Sequence, residues 1–305
     1  MNSRMSTFAD PAVLAPPVVA AVPEYAMAVT DFERACFLIR RHAGIALNST
    51  KKSLVYNRLA RRLRATGKRG FGEYLDALEG GDGGEWQEFV NALTTNLTSF
   101  FREAHHFPVL ADHLKCLGNR AIINIWCCAA STGEEPYSIA ITASEAFAGT
   151  SQPVRILATD IDTSVLETAG AASYRDEGVA RLDPDLVRRH FLRGSGVNAG
   201  CVRVRPEVAG LVTFRPLNLL DSAWPLRAGF DAIFCRNVMI YFDKQTRIGL
   251  LRRFAPLLKP GGLLFVGHSE NFSQACDSFR LLGKTVYEVM PAAAASRPGD
   301  RPGNA

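Results

Sequence analysis

The feature that most constrains this chain is a continuous apolar run over residues 122–129. It reads Ile-Ile-Asn-Ile-Trp-Cys-Cys-Ala, a pattern typical of a strand buried on both faces of a parallel sheet. Small residues and Gly133 follow and predict a tight turn, and Pro136 stands where the first turn of a helix tolerates proline. This order predicts the first unit of a doubly wound α/β domain, whose ligands bind outside the carboxyl ends of the strands.

The turn after this strand carries two carboxylates, Glu134 and Glu135, and lacks the Gly-x-Gly-x-x-Gly pattern. A phosphate group prefers bare amides at a helix N-terminus, so carboxylates disfavour a pyrophosphate ligand there. They favour a cationic or hydroxyl-bearing ligand. A nucleoside with a positively charged tail satisfies both descriptions.

A second buried strand begins at Val154 and places Asp160 at its carboxyl end. A carboxylate at that position accepts hydrogen bonds from ribose hydroxyls in nucleoside-binding folds, although the interval from Gly133 exceeds the usual distance of about 20 residues. The following helix does not need Asp160 as its cap, because Asp162 or Thr163 can supply one. Further strands are predicted at 230–235, 263–267 and, as an antiparallel pair, near 279–289. Together they predict one sheet of about seven strands.

Other segments complete the domain organisation. Residues 1–29 contain a proline cluster and predict an unstructured leader, and residues 291–305 an unstructured tail. Residues 30–96 predict a small all-helical domain, with helices from a capping box at Thr30 to Gly44, from Lys51 to Arg64, at 71–78 and at 85–93. The α/β domain spans 97–290. An insert at about 193–215 is predicted to be a hairpin between 202–205 and 211–214.

The helical domain has an uneven charge distribution. No carboxylate occurs between Glu33 and Glu73, whereas eleven cations do. A solvated face is the ordinary explanation of a charge run, but such a face usually contains compensating acids. We therefore expect a docking surface for an acidic partner, with Arg58, Arg61 and Arg62 on one helix face. The eleven cations are Arg34, Arg40, Arg41, Lys51, Lys52, Arg58, Arg61, Arg62, Arg64, Lys68 and Arg69.

Composition excludes several classes of protein. The seven cysteines include no Cys-x-x-Cys pair and no zinc spacing, which favours reduced thiols in a cytoplasmic protein and no metal centre. His105 and His106 are adjacent and are not expected to form a metal pair. The prolines of the leader disfavour a membrane-spanning helix. The net charge of +5 does not by itself indicate nucleic acid.

Four motifs in this order give the chain a resemblance to the chemotaxis receptor methyltransferases of the CheR family. They are Thr-Thr-Asn-Leu-Thr-Ser-Phe-Phe-Arg-Glu-Ala-His-His-Phe at 94–107, Ala-Ser-Thr-Gly-Glu-Glu-Pro-Tyr-Ser at 130–138, Ala-Thr-Asp-Ile-Asp at 158–162, and Phe-Cys-Arg-Asn-Val-Met-Ile-Tyr-Phe-Asp at 234–243. The resemblance implies a class I S-adenosylmethionine-dependent methyltransferase sheet preceded by a helical domain. It also implies a monomeric enzyme that esterifies glutamates on the cytoplasmic helical bundle of chemoreceptors and releases S-adenosylhomocysteine.

The resemblance also implies particular site residues. Arg102 would clamp the methionine carboxylate, Asp160 would bind the ribose, and Glu135 would accept from a hydroxyl or an ammonium group. Arg102 and Tyr241 are the candidate catalytic residues, although Tyr241 fits a core-capping role equally well. The implied cofactor contacts are Asn96, Thr98, Arg102, Glu135, Asp160, Asn218, Leu219, Arg236 and Asn237.

In part of that family the inserted element captures a receptor-tail peptide by strand addition. Gly194, Gly196 and Gly200 match the corresponding glycine loop, although such loops also occur without a partner. The acceptor glutamate, with an ordinary pKa near 4.3, is already ionised at neutral pH, so its attack on a methyl group needs no general base. The His268-Ser269-Glu270 triplet lacks a nucleophile elbow and is interpreted as a loop.

Three other functions remain open from the sequence. A nucleic-acid methyltransferase would also use a basic domain, but its Asn/Asp-Pro-Pro-aromatic motif and Pro-Cys nucleophile are missing. A catalytically silent adaptor would not need the full set of polar site residues. A nicotinamide oxidoreductase is disfavoured by the turn, which lacks the required glycines.

Overall fold

The computed structural model describes residues 24–81, 83–118, 120–149, 153–270, 272 and 277–291. The predicted leader up to residue 23 and the predicted tail from residue 292 lie outside these ranges. Within them, no helix combines the length and the apolar character needed to cross a bilayer. Six of the seven cysteines fall within the described ranges, and all six are free thiols.

The N-terminal part is helical, with α1 Val29–Ala43, α2 Lys52–Thr66, α3 Phe71–Glu79 and α4 Gly83–Leu93. The four-residue spacing of Val55, Leu59 and Leu63 places all three in the core, each fully buried. The predicted capping box at Thr30 is wrong, because α1 begins one residue earlier. The carboxylate of Asp31 accepts from the Ala28 N–H instead, at 3.1 Å.

The rest of the chain begins with alternating strands and helices, as in a doubly wound fold, and ends with three consecutive strands. Glu103 and His105 lie in the turn that precedes the first of these helices. The elements are α5 His106–Cys116, β1 Ile123–Cys127, α6 Glu134–Ala146, β2 Val154–Asp160, α7 Thr163–Ala171, β3 Ser173–Arg175, α8 Pro184–His190, β4 Phe191–Arg193, β5 Cys201–Val204, α9 Pro206–Ala209, β6 Val212–Pro216, β7 Phe230–Cys235, α10 Lys244–Phe254, β8 Leu258–Val266, β9 Phe279–Gly283 and β10 Val286–Val289.

The main sheet has seven strands in the order β6-β2-β1-β7-β8-β10-β9, which confirms the predicted number. The first five are parallel, and β10 joins β8 and β9 in antiparallel register, as the closing pair predicts. Parallel strands bring their carboxyl ends to one edge of the sheet. The ends of β1, β2, β6 and β7 therefore lie together there.

The predicted hairpin between 202–205 and 211–214 is wrong. Strand β5 pairs with β3 and β4 in a separate three-stranded antiparallel sheet. Strand β6 pairs in parallel with β2 at the edge of the main sheet. The inserted sheet thus begins at Ser173 and ends at Val204, so an insert at 193–215 misplaces both of its limits.

The helical domain is hydrogen-bonded to loops that leave the carboxyl edge of the sheet. Gln87 donates from Nε2 to the carbonyl oxygen of Ile161 at 2.8 Å, and Asn91 exchanges hydrogen bonds with Thr163. After β6, Asn218 donates from Nδ2 to the carbonyl oxygen of His42 at 2.8 Å. The two domains therefore share this edge of the sheet.

Candidate active site

One cleft opens between the helical domain and the carboxyl edge of the main sheet. The helical domain contributes Ile45, Leu47 and Lys51 to its walls, and the other walls come from the segment 93–102, which links the two domains, and from the loops at the ends of the strands. Every cofactor contact implied by the sequence lines this cleft. These residues are Asn96, Thr98, Arg102, Glu135, Asp160, Asn218, Leu219, Arg236 and Asn237, joined by Tyr241.

The turn between β1 and α6 depends on Gly133, which caps the helix with φ at 99°. A Cβ atom there would lie 2.6 Å from the Tyr174 hydroxyl and 2.9 Å from the Ala169 side chain. Tyr174 reaches this point because its hydroxyl donates to the carbonyl oxygen of Thr132 at 2.8 Å. The turn is therefore packed from behind by the inserted sheet and needs glycine.

Asp160 ends β2 and is 9% exposed. One carboxylate oxygen accepts from the Ser131 N–H at 2.8 Å and the other from the Asp162 N–H at 3.0 Å. Burial raises the pKa of Asp160 to about 6, against the lowering effect of these amides. Each carboxylate oxygen has a second lone pair, so the group can still accept from a ligand hydroxyl.

Asp162 anchors the segment that links the two domains. Its Oδ1 caps α7 by accepting from the Ser164 and Val165 amides, which confirms the predicted cap. Its Oδ2 accepts from the Thr94 hydroxyl at 2.5 Å and from Asn96 Nδ2 at 2.7 Å. The Asn96 side-chain amide thus serves the protein in this structure, and the backbone carbonyl oxygen of Asn96 accepts from the Ser131 hydroxyl at 3.1 Å.

Arg102 lies between two non-glycine residues in the left-handed region, Phe101 at φ 52° and Glu103 at φ 54°. Its Nη1 donates to the carbonyl oxygen of Leu97 at 2.7 Å. The side chain is part-exposed and lines the cleft. A guanidinium with free donors at a cleft wall suits a ligand carboxylate.

Arg236 borders the cleft, but its side chain is 0% exposed and its guanidinium is bonded within the protein. Its Nη1 donates to Glu135 Oε2 at 2.7 Å, and its Nη2 bonds the carbonyl oxygen of Arg102 and lies 3.3 Å from Glu103. Burial raises the pKa of Glu135, and the charge of Arg236 offsets part of that rise. The other Glu135 oxygen accepts from the Cys127 thiol at 3.4 Å.

The sequence analysis missed two carboxylates, Glu103 and Glu270. Glu103 accepts from Asn237 Nδ2 and from the His268 N–H, both at 3.1 Å. Glu270 is 1% exposed and accepts from the amides of Gly267 at 2.6 Å, Asn237 at 3.0 Å and Ile240 at 3.1 Å. The available signals were two positions in the sequence. Glu103 directly follows Arg102, and Glu270 is the acid of the triplet that was interpreted as a loop.

The far end of the cleft is apolar. Leu217 and Leu219 are buried. Between them, the side-chain oxygen of Asn218 accepts from the Leu220 N–H at 2.9 Å. Tyr241 is part-exposed and ends a short turn after β7, where its backbone oxygen accepts from the Ala46 N–H at 3.4 Å. An apolar wall beside an amide suits the adenine ring.

The premise of an uncompensated basic face is wrong. Acidic residues of α3 and α4, distant in sequence, reach several of the cations. Arg62 lies 2.7 Å from Glu85 and 2.9 Å from Glu88, and its side chain is only 21% exposed. Arg58 donates to backbone carbonyl oxygens near the end of α4. Of the three predicted docking residues, only Arg61 is exposed, and the other two are part-buried.

Four other cations of this run also have carboxylate partners. Arg34 lies 2.7 Å from Asp76 and Arg69 lies 3.2 Å from Glu73, while Arg40 and Arg64 lie 3.6 Å and 3.8 Å from Asp243 and Glu24. Lys51, which precedes α2, and Lys52, its first residue, are exposed. The positive surface that remains is therefore smaller than the sequence predicts.

His105 and His106 do not point apart, since their ring centroids lie 4.2 Å from each other. With Glu103 they offer ligand atoms within 4.8 Å of one another. The Glu103 carboxylate is already bound by Asn237 and Arg236, and a neighbouring guanidinium disfavours a metal cation. The geometry therefore gives no reason to place a metal there.

The three glycines of the predicted peptide loop lie between β4 and β5. Gly196 and Gly200 have φ values of 57° and 77°, and a Cβ atom on Gly194 would overlap the Asn198 carbonyl oxygen. Strands β3 and β4 form the two edges of the small sheet. The side chain of Val197, in the same loop, is fully exposed.

The fold and cleft define a class I methyltransferase sheet with a nucleoside site. The donor set fits S-adenosylmethionine: Asp160 can accept from the ribose, Arg102 can bind the carboxylate, and Leu219 borders an apolar wall. Residues 96–288 match the family described as CheR methyltransferase, SAM binding domain, and residues 30–94 match CheR methyltransferase, all-alpha domain. The chain belongs to the CheR methyltransferase family and is an S-adenosylmethionine-dependent methyltransferase.

Curated relatives agree with this assignment. The chain is 57% identical over 258 residues to a chemotaxis protein methyltransferase of Klebsiella aerogenes, covering 84% of this chain and 88% of that protein. It is 53% identical over 265 residues to the proteins of the same name from Salmonella typhimurium and Escherichia coli, covering 87% of this chain and 91% and 92% of those proteins.

Proposed function

We propose that this chain transfers a methyl group from S-adenosylmethionine to glutamate side chains of chemoreceptors, giving methyl esters and S-adenosylhomocysteine. The observation that carries the proposal is the convergence of all ten implied site residues on one cleft between the two domains. The names of the close relatives supply the chemotactic context.

The side chains of the cleft have separate tasks in this proposal. Asp160 accepts from the ribose and Arg102 binds the carboxylate of the methionine moiety, so the two residues fix opposite parts of one ligand. Leu219 and Asn218 border the adenine. Tyr241, a part-exposed residue of the cleft wall, is assigned to the acceptor side, where its ring would limit the water that reaches the reacting groups.

The proposed reaction does not require a general base. The bound cofactor supplies a methyl group on a sulfonium centre, and an ionised glutamate attacks it without losing a proton. The protein therefore contributes alignment and exclusion of water rather than a general base. This is consistent with a cleft whose buried charges are committed to one another, as in the pair of Arg236 and Glu135.

The helical domain offers the receptor contact. Arg61 is exposed on the surface of α2, and an acidic stretch of receptor helix would complement its charge. Arg58 and Arg62 support this surface from within, because they hold α2 against α4. The receptor is the cytoplasmic helical bundle, bound by a monomer of this chain.

The small sheet offers a second contact. A receptor-tail peptide would extend the sheet at an edge strand, beside the loop of Gly194, Gly196 and Gly200. Methylation of receptor membranes with and without the last residues of the receptor tests this part: loss of the tail should slow methylation. Equal rates would remove the peptide contact and leave the main proposal intact.

The main test is transfer of labelled methyl groups to receptor-containing membranes. The label should enter the receptor and be released by mild alkali, because methyl esters hydrolyse there. The Arg102→Ala variant should transfer no label, whereas Gly170→Ala, on the exposed face of α7, should behave as the wild type. Label recovered in bases would instead identify a nucleic-acid methyltransferase, and no label would favour an adaptor.

A further inference from the structure

We propose that Glu103 is a positioning residue of the methyl-donor site, which holds the neighbouring Arg102 where it can bind the carboxylate of the cofactor. The proposal rests on the function proposed above, because it assigns a role within the same site. It adds a residue that the sequence motifs did not place among the cofactor contacts.

The Glu103 carboxylate connects separate segments of the chain. The Glu103 carboxylate binds three groups from two other segments: Asn237 Nδ2 and the His268 N–H at 3.1 Å, and Arg236 Nη2 at 3.3 Å. Its side chain is 14% exposed. One carboxylate therefore ties the residue after Arg102 to the loops that follow β7 and β8.

The backbone on both sides of Arg102 is strained. Phe101, Glu103 and Asn237 are non-glycine residues with φ between 52° and 57°. Such conformations cost energy and persist only where the surroundings fix them. Glu103 is one of these residues and its side chain is bonded to another. Without its carboxylate, the turn that presents Arg102 would lose its main anchor.

The surroundings of Glu103 favour its ionised form. Burial opposes ionisation of Glu103, but the hydrogen bond from Asn237 and the charge of Arg236 bring its pKa below the ordinary value. His106, 3.9 Å away, does not share this role. Burial and the Arg236 charge lower the pKa of His106 to about 4, so its ring is neutral at pH 7. The ionised Glu103 thus pairs with Arg236, which also bonds the backbone of Arg102.

The test compares two ligands that differ in the part that Arg102 would bind. S-adenosylhomocysteine carries the amino-acid carboxylate, and 5′-methylthioadenosine lacks it. In Glu103→Gln, calorimetry should show binding of S-adenosylhomocysteine weakened about 10- to 100-fold, the range for a lost hydrogen bond to a charged group. Binding of methylthioadenosine should change less than about threefold, within the error of such comparisons.

Matched variants separate the outcomes. Glu145→Gln removes a surface carboxylate paired with Arg189 and should change neither affinity. Arg102→Ala should show the same ligand selectivity as Glu103→Gln. If Glu103→Gln does not fold, Glu103→Asp, which keeps the charge but shortens the reach, should give a smaller loss with the same selectivity.

Two results would overturn the role of Glu103: equal weakening of both ligands, or no weakening of either, while the wild type binds normally. Failure of the wild type to bind S-adenosylhomocysteine would instead refute the proposed function. Equal weakening in Arg102→Ala would refute the carboxylate contact itself.

Discussion

Asp160 should make cofactor affinity depend on pH in a range where other carboxyl groups of proteins are already ionised. Burial raises its pKa from 3.8 to about 6. A ribose hydroxyl donates well to a carboxylate and poorly to a protonated carboxyl group. Binding of S-adenosylhomocysteine should therefore strengthen as the pH rises through about 6 and should lower the pKa of Asp160.

The expected change in Kd with pH follows from the raised pKa of Asp160. At about pH 5 only about one tenth of a group with this pKa is ionised, so the Kd should be about tenfold higher than at pH 7.5. Stability of the free protein changes in the opposite direction. A raised carboxyl pKa favours folding at low pH, and this contribution, up to about 3 kcal/mol, is lost as the pH rises through 6.

The assay is calorimetric titration at several pH values, with thermal unfolding alongside. The rise in Tm caused by the ligand should be larger at about pH 7.5 than at about pH 5, since binding is tighter there. Asp160→Asn should bind more weakly and lose the pH dependence. A wild-type affinity that is flat over this range would refute the contact between ribose and Asp160. A slope that survives in Asp160→Asn would assign it to another group, with Glu135, whose pKa is also raised, the first candidate.

Two substitutions on α2 should separate stability from receptor docking. Arg62→Ala should cost about 1–3 kcal/mol in urea unfolding, because it breaks a part-buried two-point ion pair with α4, whereas exposed Arg61→Glu should change stability by less than about 0.5 kcal/mol. Arg61→Glu should slow receptor methylation, in a salt-dependent manner, with unchanged cofactor affinity; an unchanged rate would remove this surface. Gly133→Ala should cost more than about 2 kcal/mol because its Cβ overlaps the Tyr174 hydroxyl. Gly170→Ala, which meets nothing within 4 Å, should be neutral or stabilising, and equal effects would contradict the packing of the turn.

The sequence predicted the central strands and the cleft because both depend on local pattern. The apolar runs that became β1 and β7 are almost completely buried, and parallel strands must bring their ends together. Asp160 could therefore be placed beside Gly133 without knowledge of the other contacts. The implied site residues came from motifs, and their convergence on one cleft needed the structure.

The inserted sheet could not be predicted in the same way. The alternation of Val202 and Val204 correctly indicated a strand, but not its partners. Strand β3 is three residues long and mostly exposed, so it has no periodic pattern to detect. Strand β6 resembles the second half of a hairpin, yet it pairs with β2, more than fifty residues earlier in the chain.

The pairing of charged side chains was the least predictable feature of the structure. Arg62 and its partner Glu85 are 23 residues apart, so a window of sequence around α2 contains only the cation. The same holds for Arg236, whose two carboxylate partners lie over a hundred residues away. A charge run in sequence indicates a charged surface only when the packing of neighbouring helices is known.

Both proposed receptor contacts are linked mechanically to the cofactor cleft. Asn91, near the end of the helical domain, is bonded to Thr163, which follows the loop of Asp160. The inserted sheet reaches the same site from the other side, where Tyr174 of β3 supports the turn at Gly133. In the proposed complex, a receptor bound to either element would therefore contact a part of the protein that is hydrogen-bonded to the cofactor cleft.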